Sequence, residues 1–589
     1  MRQMNTSIVA GLMIAAIAAV STPLRAEELN GPYANIKTAP VTVTWQYSND
    51  GGKTFSDKPL QGPPAGLDPR GQNVPVYPYA WKGTFEVADP AKVAGLYVRL
   101  FDGEADSRAT ICNGDLWSAS GGWWKDLGFC PTLLDASVKF NGKDMPIAQG
   151  PILQFWVPLV GEIKKGANTV ELRGNVYTFW QGKPAAALDI KMIAAEPQPT
   201  KINNGPVLGD FGEGYFTVAC RTQLPADVTV EATPVEPAAA PVKATSAAAV
   251  WHRLRVEVPK GTTKLTYTIS AKVAGYETKQ GPFAVALPSN KEFSFIAFGG
   301  LEQQPGGGPL WKQQSKFLLE KVQPQFILNT GNLMEQESWS FQMEEAYSGP
   351  GAELLARVPT LISPCNRDNT GIFNELHCTP AADMYAHNWT KVMGPVRFIG
   401  IDANTEWAVG NGNHKWLEDV LKAANDKYIV VLSGYPGFAS GINSKKLFGG
   451  RQVVREVIMP LLGKYKATVV LSSWDPIYER IEPTPDKGVT QIVTGCIGQK
   501  HWHKWDSRFG SHPFGPPGGN PRGTIGKVVA PDGREWVGYF LNRHYCQFTV
   551  KGDSLQMKAI SIGGPAGEVD TRELKEMKVI DEKTFKPRQ

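Results

Sequence analysis

Residues 471–480 read Leu471-Ser472-Ser473-Trp474-Asp475-Pro476-Ile477-Tyr478-Glu479-Arg480. They directly follow residues 468–471, an apolar run with the composition of a short buried strand. Comparable runs recur between residues 291 and 563, at residues 293–298, 326–328, 396–401, 428–432 and 490–494. A helical stripe of apolar residues at 311–322 lies between the first two runs. This alternation predicts an α/β layered domain, whose parallel strands bring the following loops to one edge of the sheets.

Five short motifs stand at intervals along this region. They are Gly299-Gly300, Gly331-Asn332, Cys365-Asn366-Arg367-Asp368, Ser433-Gly434-Tyr435, and the quoted stretch with Trp474 and Pro476, which ends in Tyr478-Glu479-Arg480. In their order and context they resemble the motifs of the calcineurin-like metallophosphoesterase superfamily, in particular the purple acid phosphatase type. That family carries Gly-Asp, Gly-Asp, Gly-Asn-His, a histidine after a buried strand, and Gly-His-x-His-x-Tyr-Glu-Arg at these places.

The resemblance implies a two-metal phosphatase centre, but the residues at its ligand positions differ from the family's. Those positions hold Gly300, Asn332, Asn366, Arg367, Ser433, Trp474 and Pro476, and only Asn366 keeps the family's ligand type. Two divalent cations roughly 3.5–4 Å apart repel each other and need anionic bridging ligands. Arg367 adds a permanent positive charge instead. We therefore expect these degenerate motifs to supply no catalytic residue and to bind no metal cofactor.

Arg367 has two interpretations. With Asn332 and Asn366 it would form an anion-binding pocket, because a guanidinium binds carboxylate, sulfate or phosphate through paired hydrogen bonds. Alternatively, Arg367 pairs with Asp368, Asp402 or Asp475 and fills the space that the metals would occupy. The sequence leaves both open.

A histidine-rich stretch after the last of these motifs suggests a relocated metal site. His501 and His503 are two apart, and Asp506 and His512 follow in the same loop. Alternate residues of an extended segment face one way, so these side chains would suit a single zinc or copper ion. The alternative is an exposed aromatic and basic loop that contacts a partner.

The remaining sequence predicts a multidomain chain of β and α/β class. Residues 1–26 have the charged start and apolar stretch of a cleaved signal peptide, which predicts a periplasmic or secreted protein. Two β-sandwiches are expected next: a jelly-roll-like domain at 27–196 and a fibronectin-III-like domain at 205–289, in which the Ala/Pro-rich residues 234–249 form a long loop. A metallophosphoesterase-type α/β sandwich at 291–563 follows, and then a charged peripheral tail at 564–589.

Four tryptophans of the first β-sandwich are candidates for stacking on a sugar ring: Trp117, Trp123, Trp124 and Trp180. The alternative is that these indoles fill the sandwich core, which is the commoner role of tryptophan.

The charge of the chain argues against nucleic-acid and membrane-surface partners, and its cysteines offer candidate disulfides. The formal net charge is +5, and no run of Lys and Arg is long enough to indicate a nucleic-acid groove or a polybasic membrane patch. Seven cysteines leave at least one unpaired. Cys112 with Cys130 and Cys365 with Cys378 are the candidate pairs closest in sequence, although spacing does not fix connectivity.

Three functions are compatible with these observations. The first is a pseudoenzyme of the cell envelope that binds a glycan or an anion, or acts as a scaffold. The second is a divergent phosphoric ester hydrolase that uses the metal site in the His501–His512 loop. The third is a structural surface-layer component, which self-association of the purified protein would indicate.

Overall fold

The computed structural model describes residues 35–58, 66–67, 75–99, 131–145, 157–178, 190–301, 308–333, 343–365, 368, 375–381, 387–439, 450–483, 488–495, 497–498, 527–529, 535–540, 542–565 and 577–588. The predicted signal peptide lies outside these residues. Within them, no helix has the length and apolar character needed to cross a bilayer. The described chain is mostly β-structure in five sheets, in agreement with the predicted β-rich class.

Two sheets form from the strands described before residue 196. These are β1 (Thr38–Pro40), β2 (Val43–Ser48), β3 (Gly66–Leu67), β4 (Pro75–Val87), β5 (Gly95–Arg99), β6 (Pro131–Phe140), β7 (Lys143–Met145), β8 (Val157–Leu159), β9 (Gly166–Thr178) and β10 (Lys191–Ala195), with a 3₁₀ turn at Pro90–Lys92. One sheet has the order β1-β10-β5-β8, and the other has the order β2-β4-β9-β6-β7 with β3 added to β4. Side chains of both sheets, including Trp81, Phe85, Leu96 and Leu172, share one core. Its relationship to jelly-roll domains stays a prediction.

A third, antiparallel sheet follows. Its strands are β11 (Ile202–Gly212), β12 (Tyr215–Glu236), β13 (Val242–Glu257), β14 (Lys264–Val273) and β15 (Tyr276–Ala286). The long loop predicted at residues 234–249 is wrong, because β12 and β13 continue through most of it. Five consecutive pairs, from Val228 opposite Ser246 to Ala232 opposite Val242, join the two strands. This cross-strand pairing outweighs the low β-propensity of alanine.

The third region contains two mixed sheets and short helices. Its strands are β16 (Glu292–Phe298), β17 (Phe326–Asn329), β18 (Thr360–Ile362), β19 (Trp389–Met393), β20 (Val396–Ile401), β21 (Tyr428–Ser433), β22 (Val469–Ser472), β23 (Tyr478–Ile481), β24 (Thr490–Thr494), β25 (Lys527–Val529), β26 (Glu535–Phe540), β27 (Asn542–Lys551), β28 (Ser554–Pro565) and β29 (Met577–Phe585). Its helices are α1 (Gly308–Phe317), α2 (Ala352–Leu355), α3 (Gly412–Lys422) and α4 (Met459–Lys464), with π-helical turns at Leu318–Val322, Glu344–Ser348 and Val454–Ile458.

The two mixed sheets pack face to face. One has the order β18-β17-β16-β27-β28-β29, and the other has the order β19-β20-β21-β22-β24-β23-β26-β25. The predicted parallel strands are present in both, at β16 to β18 and at β20, β21, β22 and β24. Phenylalanines fill the interface: Phe295 stacks on Phe548 at 4.8 Å and meets Phe398 edge-on at 5.4 Å between ring centroids. Phe211 of β11 joins the same core through Phe326.

The C-terminal segment is integrated into this fold, so the prediction of a peripheral tail is wrong. Strand β29 pairs with β28 as the edge of the six-stranded sheet. From it, Asp581 accepts hydrogen bonds from the Tyr478 hydroxyl at 2.5 Å and from Arg480 Nε and Nη2 at 2.7 and 3.0 Å. Tyr478 and Arg480 belong to the Tyr-Glu-Arg run on β23 of the other sheet. This buried ion pair therefore fastens the two sheets together.

Replacing Asp581 with alanine should destabilise the fold strongly. The side chains of Arg480 and Asp581 are only 10% and 8% exposed, so D581A leaves a buried guanidinium with fewer partners and should cost about 3 kcal/mol or more. D553A is the control, because the Lys427–Asp553 pair is 47% and 72% exposed and should contribute less than about 1 kcal/mol. Equal denaturant midpoints for the two variants would contradict the proposed role of Asp581 in fastening the two sheets.

Candidate functional site at the carboxyl ends of the sheets

The described motif positions converge where the two mixed sheets meet. The Gly299 amide donates to the carbonyl of Thr494 at 2.8 Å, and the Gly300 amide donates to the carbonyl of Gly331 at 2.9 Å. Ser473 Oγ donates to the carbonyl of Thr330 at 2.6 Å. These bonds connect the loops that follow β16, β17, β22 and β24. The prediction that the motifs lie together at one edge is consistent with this geometry.

The resemblance assigns Gly300 to the family's first aspartate position, and the backbone leaves no space for a side chain at Gly300. Its φ of +61° lies in the left-handed region, which favours glycine. A Cβ at Gly300 would lie 1.9 Å from the carbonyl oxygen of Gly495. Gly495 is itself packed on Asp475, whose carbonyl oxygen would lie 2.1 Å from a Cβ at Gly495. The backbone thus occupies the place from which a carboxylate ligand would project.

Asn332, which the resemblance assigns to the bridging-carboxylate position, is held by a hydrogen bond from its backbone amide. It is 2% exposed and has a φ of +57°. Its amide donates to Asp368 Oδ2 at 2.5 Å, and the amides of Leu333 and Cys365 donate to the same carboxylate at 2.8 and 2.9 Å. Asp368 is 1% exposed. This carboxylate therefore orders the loops after β17 and β18 through three backbone amides.

At the fourth position the chain places hydroxyl and aromatic groups. Ser433 is fully buried, and its Oγ donates to the carbonyl of Tyr435 at 2.9 Å. Gly434 packs on the third motif, because a Cβ at Gly434 would lie 2.6 Å from the Cα of Cys365. Tyr435 donates its hydroxyl to Asn404 Oδ1 at 2.8 Å, and Asn404 Nδ2 donates to the carbonyl of Cys365 at 3.1 Å. A neutral hydrogen-bond network thus joins the loops here.

The resemblance assigns Trp474 and Pro476 to the two histidine positions of the fifth motif. Pro476 is buried and Trp474 is partly buried. Trp474 has a φ of +69°, an unfavourable conformation for a bulky residue that surrounding contacts must hold. Its ring packs edge-on against the Tyr435 ring, with 5.5 Å between the ring centroids. The Arg451 guanidinium lies over the Tyr435 ring, 4.9 Å from its centroid. An aromatic and cationic stack therefore stands at this corner.

A histidine–carboxylate pair that the sequence did not indicate, His387 with Asp402, lies at this edge. Asp402 directly follows β20 and is fully buried, and its Oδ2 hydrogen-bonds with His387 Nδ1. The Asn404 amide donates to Asp402 Oδ1 at 2.9 Å. The antiparallel pairing of β19 with β20, with Trp389 opposite Gly400, brings His387 level with Asp402. Recognising that hairpin would have revealed the pair.

Several predicted site residues lie outside the described residues, and their roles stay predictions. These are Asn366 and Arg367 of the third motif, the alternative metal ligands His501, His503, Asp506 and His512, and the candidate sugar-stacking residues Trp117, Trp123, Trp124 and Trp180. Cys112 and Cys130 also lie outside. The described part of the chain contains no group of three or more His, Cys, Asp or Glu side chains that could hold a metal ion.

The candidate disulfide between Cys365 and Cys378 is not formed. Both are buried thiols outside any disulfide, as are Cys220 and Cys546. Burial raises the pKa of Cys378 to about 12, so this thiol is neutral at physiological pH. The sequence separation of the two residues was compatible with a bridge, but the chain path directs Cys378 to the third sheet, where its carbonyl accepts the amide of Asp210 at 2.9 Å.

The described positions do not fit a two-metal centre. They offer a neutral amide at Asn332, hydroxyls at Ser433 and Ser473, and no side-chain donor at Gly300 or Pro476. Paired divalent cations require bridging anions and, in this fold family, several imidazoles. Of the buried carboxylates at this edge, Asp368 already accepts three backbone amides, and Asp402 hydrogen-bonds with His387 and the Asn404 amide. Asp475 is buried between Trp474 and Pro476.

Comparison with solved structures identifies the fold. Purple acid phosphatase PPD1 from yellow lupin (Lupinus luteus) seeds matches with a TM-score of 0.50 at 13% identity, covering 86% of this chain and 93% of that chain. PhoD matches with a TM-score of 0.43 at 10% identity over 65% of this chain and 91% of its own. GAP50 of Plasmodium gives 0.34 at 15% identity, over 50% and 90%. The match to the purple acid phosphatase shows that the chain has a purple-acid-phosphatase-like, metallophosphoesterase-like fold. No protein-family model and no curated protein matches it.

Replacing Gly300 with alanine, which adds one methyl group, tests the packing at this position. G300A should lower stability by about 3 kcal/mol or more, because the new Cβ meets a backbone carbonyl that cannot move independently. The control is G552A: Gly552 has a similar φ of +55° with nothing within 4 Å of its Cβ, so only the backbone cost of about 1 kcal/mol applies. If urea unfolding gave the two variants the same stability, the edge would have room for a side chain.

Proposed function

We propose that this chain is an exported protein with a purple-acid-phosphatase-like fold that has lost two-metal phosphatase chemistry and acts by binding or scaffolding in the cell envelope. The observation that carries the proposal is the contact between Gly300 and the Gly495 carbonyl. A position that would supply a metal-binding carboxylate in this fold is occupied by backbone. Export rests on the predicted signal peptide at residues 1–26.

The loss of chemistry is supported by the charge at the edge as well as by its packing. Asn332 replaces an anionic bridge with a neutral amide, and Trp474 and Pro476 replace two imidazoles. One missing ligand can be compensated by water or by a neighbouring oxygen, but a set lacking its bridging anions leaves the repulsion between two cations unopposed. Arg367 in the third motif would increase that repulsion.

The proposed binding role has two candidate ligands, an anion and a glycan. Arg367 with Asn332 and Asn366 provides guanidinium and amide groups that suit a tetrahedral or planar anion such as phosphate, sulfate or a carboxylate. The tryptophans at 117, 123, 124 and 180 suit a glycan. The network of Asp368, Tyr435 and Asn404 supports the first of these sites, because it holds the surrounding loops in fixed positions.

Metal content and turnover test the loss of chemistry. After incubation with Zn²⁺, Fe³⁺ or Mn²⁺ and dialysis, the purified mature protein should retain no stoichiometric metal, and it should not hydrolyse p-nitrophenyl phosphate above the buffer rate. N332D is the matched variant: it restores one bridging carboxylate and should still gain neither metal nor activity, since the other ligands remain absent.

Each alternative gives a different result in this assay. Two metal ions per chain with turnover would contradict the proposal. One ion per chain, lost in H501A and H503A, would support the relocated metal site in the His501–His512 loop instead.

Anion binding tests the proposed role of Arg367. Titration calorimetry with inorganic phosphate and with sulfate should detect binding that R367A abolishes or weakens at least about tenfold, since a paired guanidinium–anion interaction contributes about 1.5–3 kcal/mol. R451A is the control, because Arg451 already stacks on Tyr435 and should leave binding unchanged. Binding that is equal in wild type and R367A would exclude this pocket.

A further inference from the structure

A cleft opens between the third sheet and the third region. Its walls include the β11–β12 turn, the turn after β13, the segment that joins β15 to β16, and strand β19. Its volume is about 680 Å³, which is a usual size for a small-molecule site, and such sites are common where two domains meet. The described residues with charged side chains that line it are Asp210, Glu213, Arg255, Lys291 and Lys391. None of them belongs to the sites predicted from the sequence.

The most buried charged groups of the cleft form an ion pair between β19 and β11. The side chains of Lys391 and Asp210 are 9% and 6% exposed, and Lys391 Nζ lies 2.9 Å from Asp210 Oδ1. Lys391 Nζ also donates to the carbonyl of Phe211, and the Tyr215 hydroxyl donates to Asp210 Oδ2 at 2.7 Å. Both oxygens of the carboxylate are therefore engaged, whereas hydrogen bonds within the described chain use two of the three N–H groups of the ammonium. A ligand group that reaches this ion pair should therefore be a hydrogen-bond acceptor.

Arg255 adds a second set of donors to the cleft. Its guanidinium lies over the Tyr215 ring, 3.4 Å from the centroid, and its Nε donates to Glu257 at 2.6 Å. These two contacts fix the plane of the guanidinium, and the hydrogen bond to Glu257 uses one of its five N–H donors. Donors therefore remain for the paired hydrogen bonds that a carboxylate or a phosphate accepts. Lys291 is exposed and brings the lining to three cations and two carboxylates, so this half of the cleft favours an anion.

A second group of lining residues has hydroxyl oxygens that can accept hydrogen bonds from a ligand. Each hydroxyl donates its hydrogen to a backbone carbonyl: Thr262 to Pro259 at 2.7 Å, Ser289 to Glu292 at 3.0 Å, and Thr263 and Thr390 to Glu236 and Phe398 at 3.2 Å each. A hydroxyl oxygen has two lone pairs, so with its hydrogen committed it acts toward a ligand as an acceptor. Ligand hydroxyl groups are the donors that suit these oxygens.

The walls of the cleft are held in place without a ligand. The Asp210 amide donates to the carbonyl of Cys378 at 2.9 Å, and the Asp210 carbonyl accepts the Thr217 hydroxyl at 2.8 Å. The Phe211 ring packs on the Phe326 ring with 5.3 Å between centroids. These contacts anchor β11 to the third region, so the two walls keep their separation. Binding to a preformed cleft avoids much of the cost of ordering side chains and loops.

We propose that this cleft binds a polyhydroxylated small molecule that carries a carboxylate or a phosphate, that is, a sugar acid or a sugar phosphate. The oxyanion accepts hydrogen bonds from Lys391 and Arg255, and the ligand hydroxyls donate to the threonine and serine oxygens. The site shares no residue with the anion pocket proposed at Arg367 or with the candidate tryptophans, and it does not rest on the function proposed above.

Substitution of Arg255 tests the oxyanion contact. Calorimetric titration of the full mature chain with D-glucuronate, D-galacturonate and D-glucose 6-phosphate should detect binding of at least one of them. R255Q should weaken this binding at least about tenfold, and it should fold because Arg255 is 46% exposed. R357Q is the matched control and should bind like wild type. Arg357 also lies over an aromatic ring, Phe283 at 5.2 Å, and pairs with Glu353, but it does not line the cleft.

A neutral sugar and a hydroxyl variant separate the two halves of the site. D-glucose has the hydroxyls but no oxyanion and should bind at least about tenfold more weakly than the anionic sugar. T263V removes one acceptor from the hydroxyl half and should weaken the anionic sugar about fivefold, the effect of one neutral hydrogen bond. Hydrogen exchange locates the ligand: amides of residues 261–263 and 289–291 should gain protection when the sugar binds.

Three results would overturn this site. They are no binding of any of the three anionic sugars at millimolar concentration, equal affinities for wild type and R255Q, and D-glucose binding as tightly as the anionic sugars. Binding that R367A abolishes and R255Q leaves unchanged would assign the sugar to the pocket at Arg367 instead. The two sites are therefore tested separately, and neither result depends on the metal content or phosphatase assays.

Discussion

The Gly495 carbonyl lies where a side chain at position 300 would begin, and much of the edge is organised around this close approach. Gly299 and Gly300 are hydrogen-bonded to the loops after β24 and β17, and Gly495 packs on Asp475. A metal centre in this fold would need outward-projecting carboxylates at the same points. The backbone instead joins the loops directly, which gives the edge a rigid core made of peptide groups rather than of ions.

The Tyr-Glu-Arg run has a structural role in this chain, because Tyr478 and Arg480 bind Asp581 and fasten the two mixed sheets. Asp368, beside the third motif, satisfies three backbone amides. The described residues Gly300, Asn332, Ser433 and Trp474, which the resemblance assigns to metal-ligand positions, also pack or hydrogen-bond within this framework.

The sequence predicted the local structure of the third region well and its long-range contacts poorly. The strand at residues 293–298 and its parallel neighbours are readable because buried strands are short and apolar. Residues 234–249 and 577–585 were misread, since alanine-rich or charged segments become strands only through partners distant in sequence. His387 and Asp402 were not connected for the same reason. A side chain is excluded at Gly300 by a carbonyl 195 residues away in the sequence, and no local sequence pattern could have predicted this contact.

Anomalous X-ray scattering from crystals grown with Zn²⁺, Fe³⁺ or Mn²⁺ would test the central claim most directly, because it locates ions without relying on activity. We expect no anomalous peak between Gly300, Asn332 and Gly434, and the Gly495 carbonyl in contact with Gly300. Two peaks there, roughly 3.5–4 Å apart as in two-metal sites, would contradict the account.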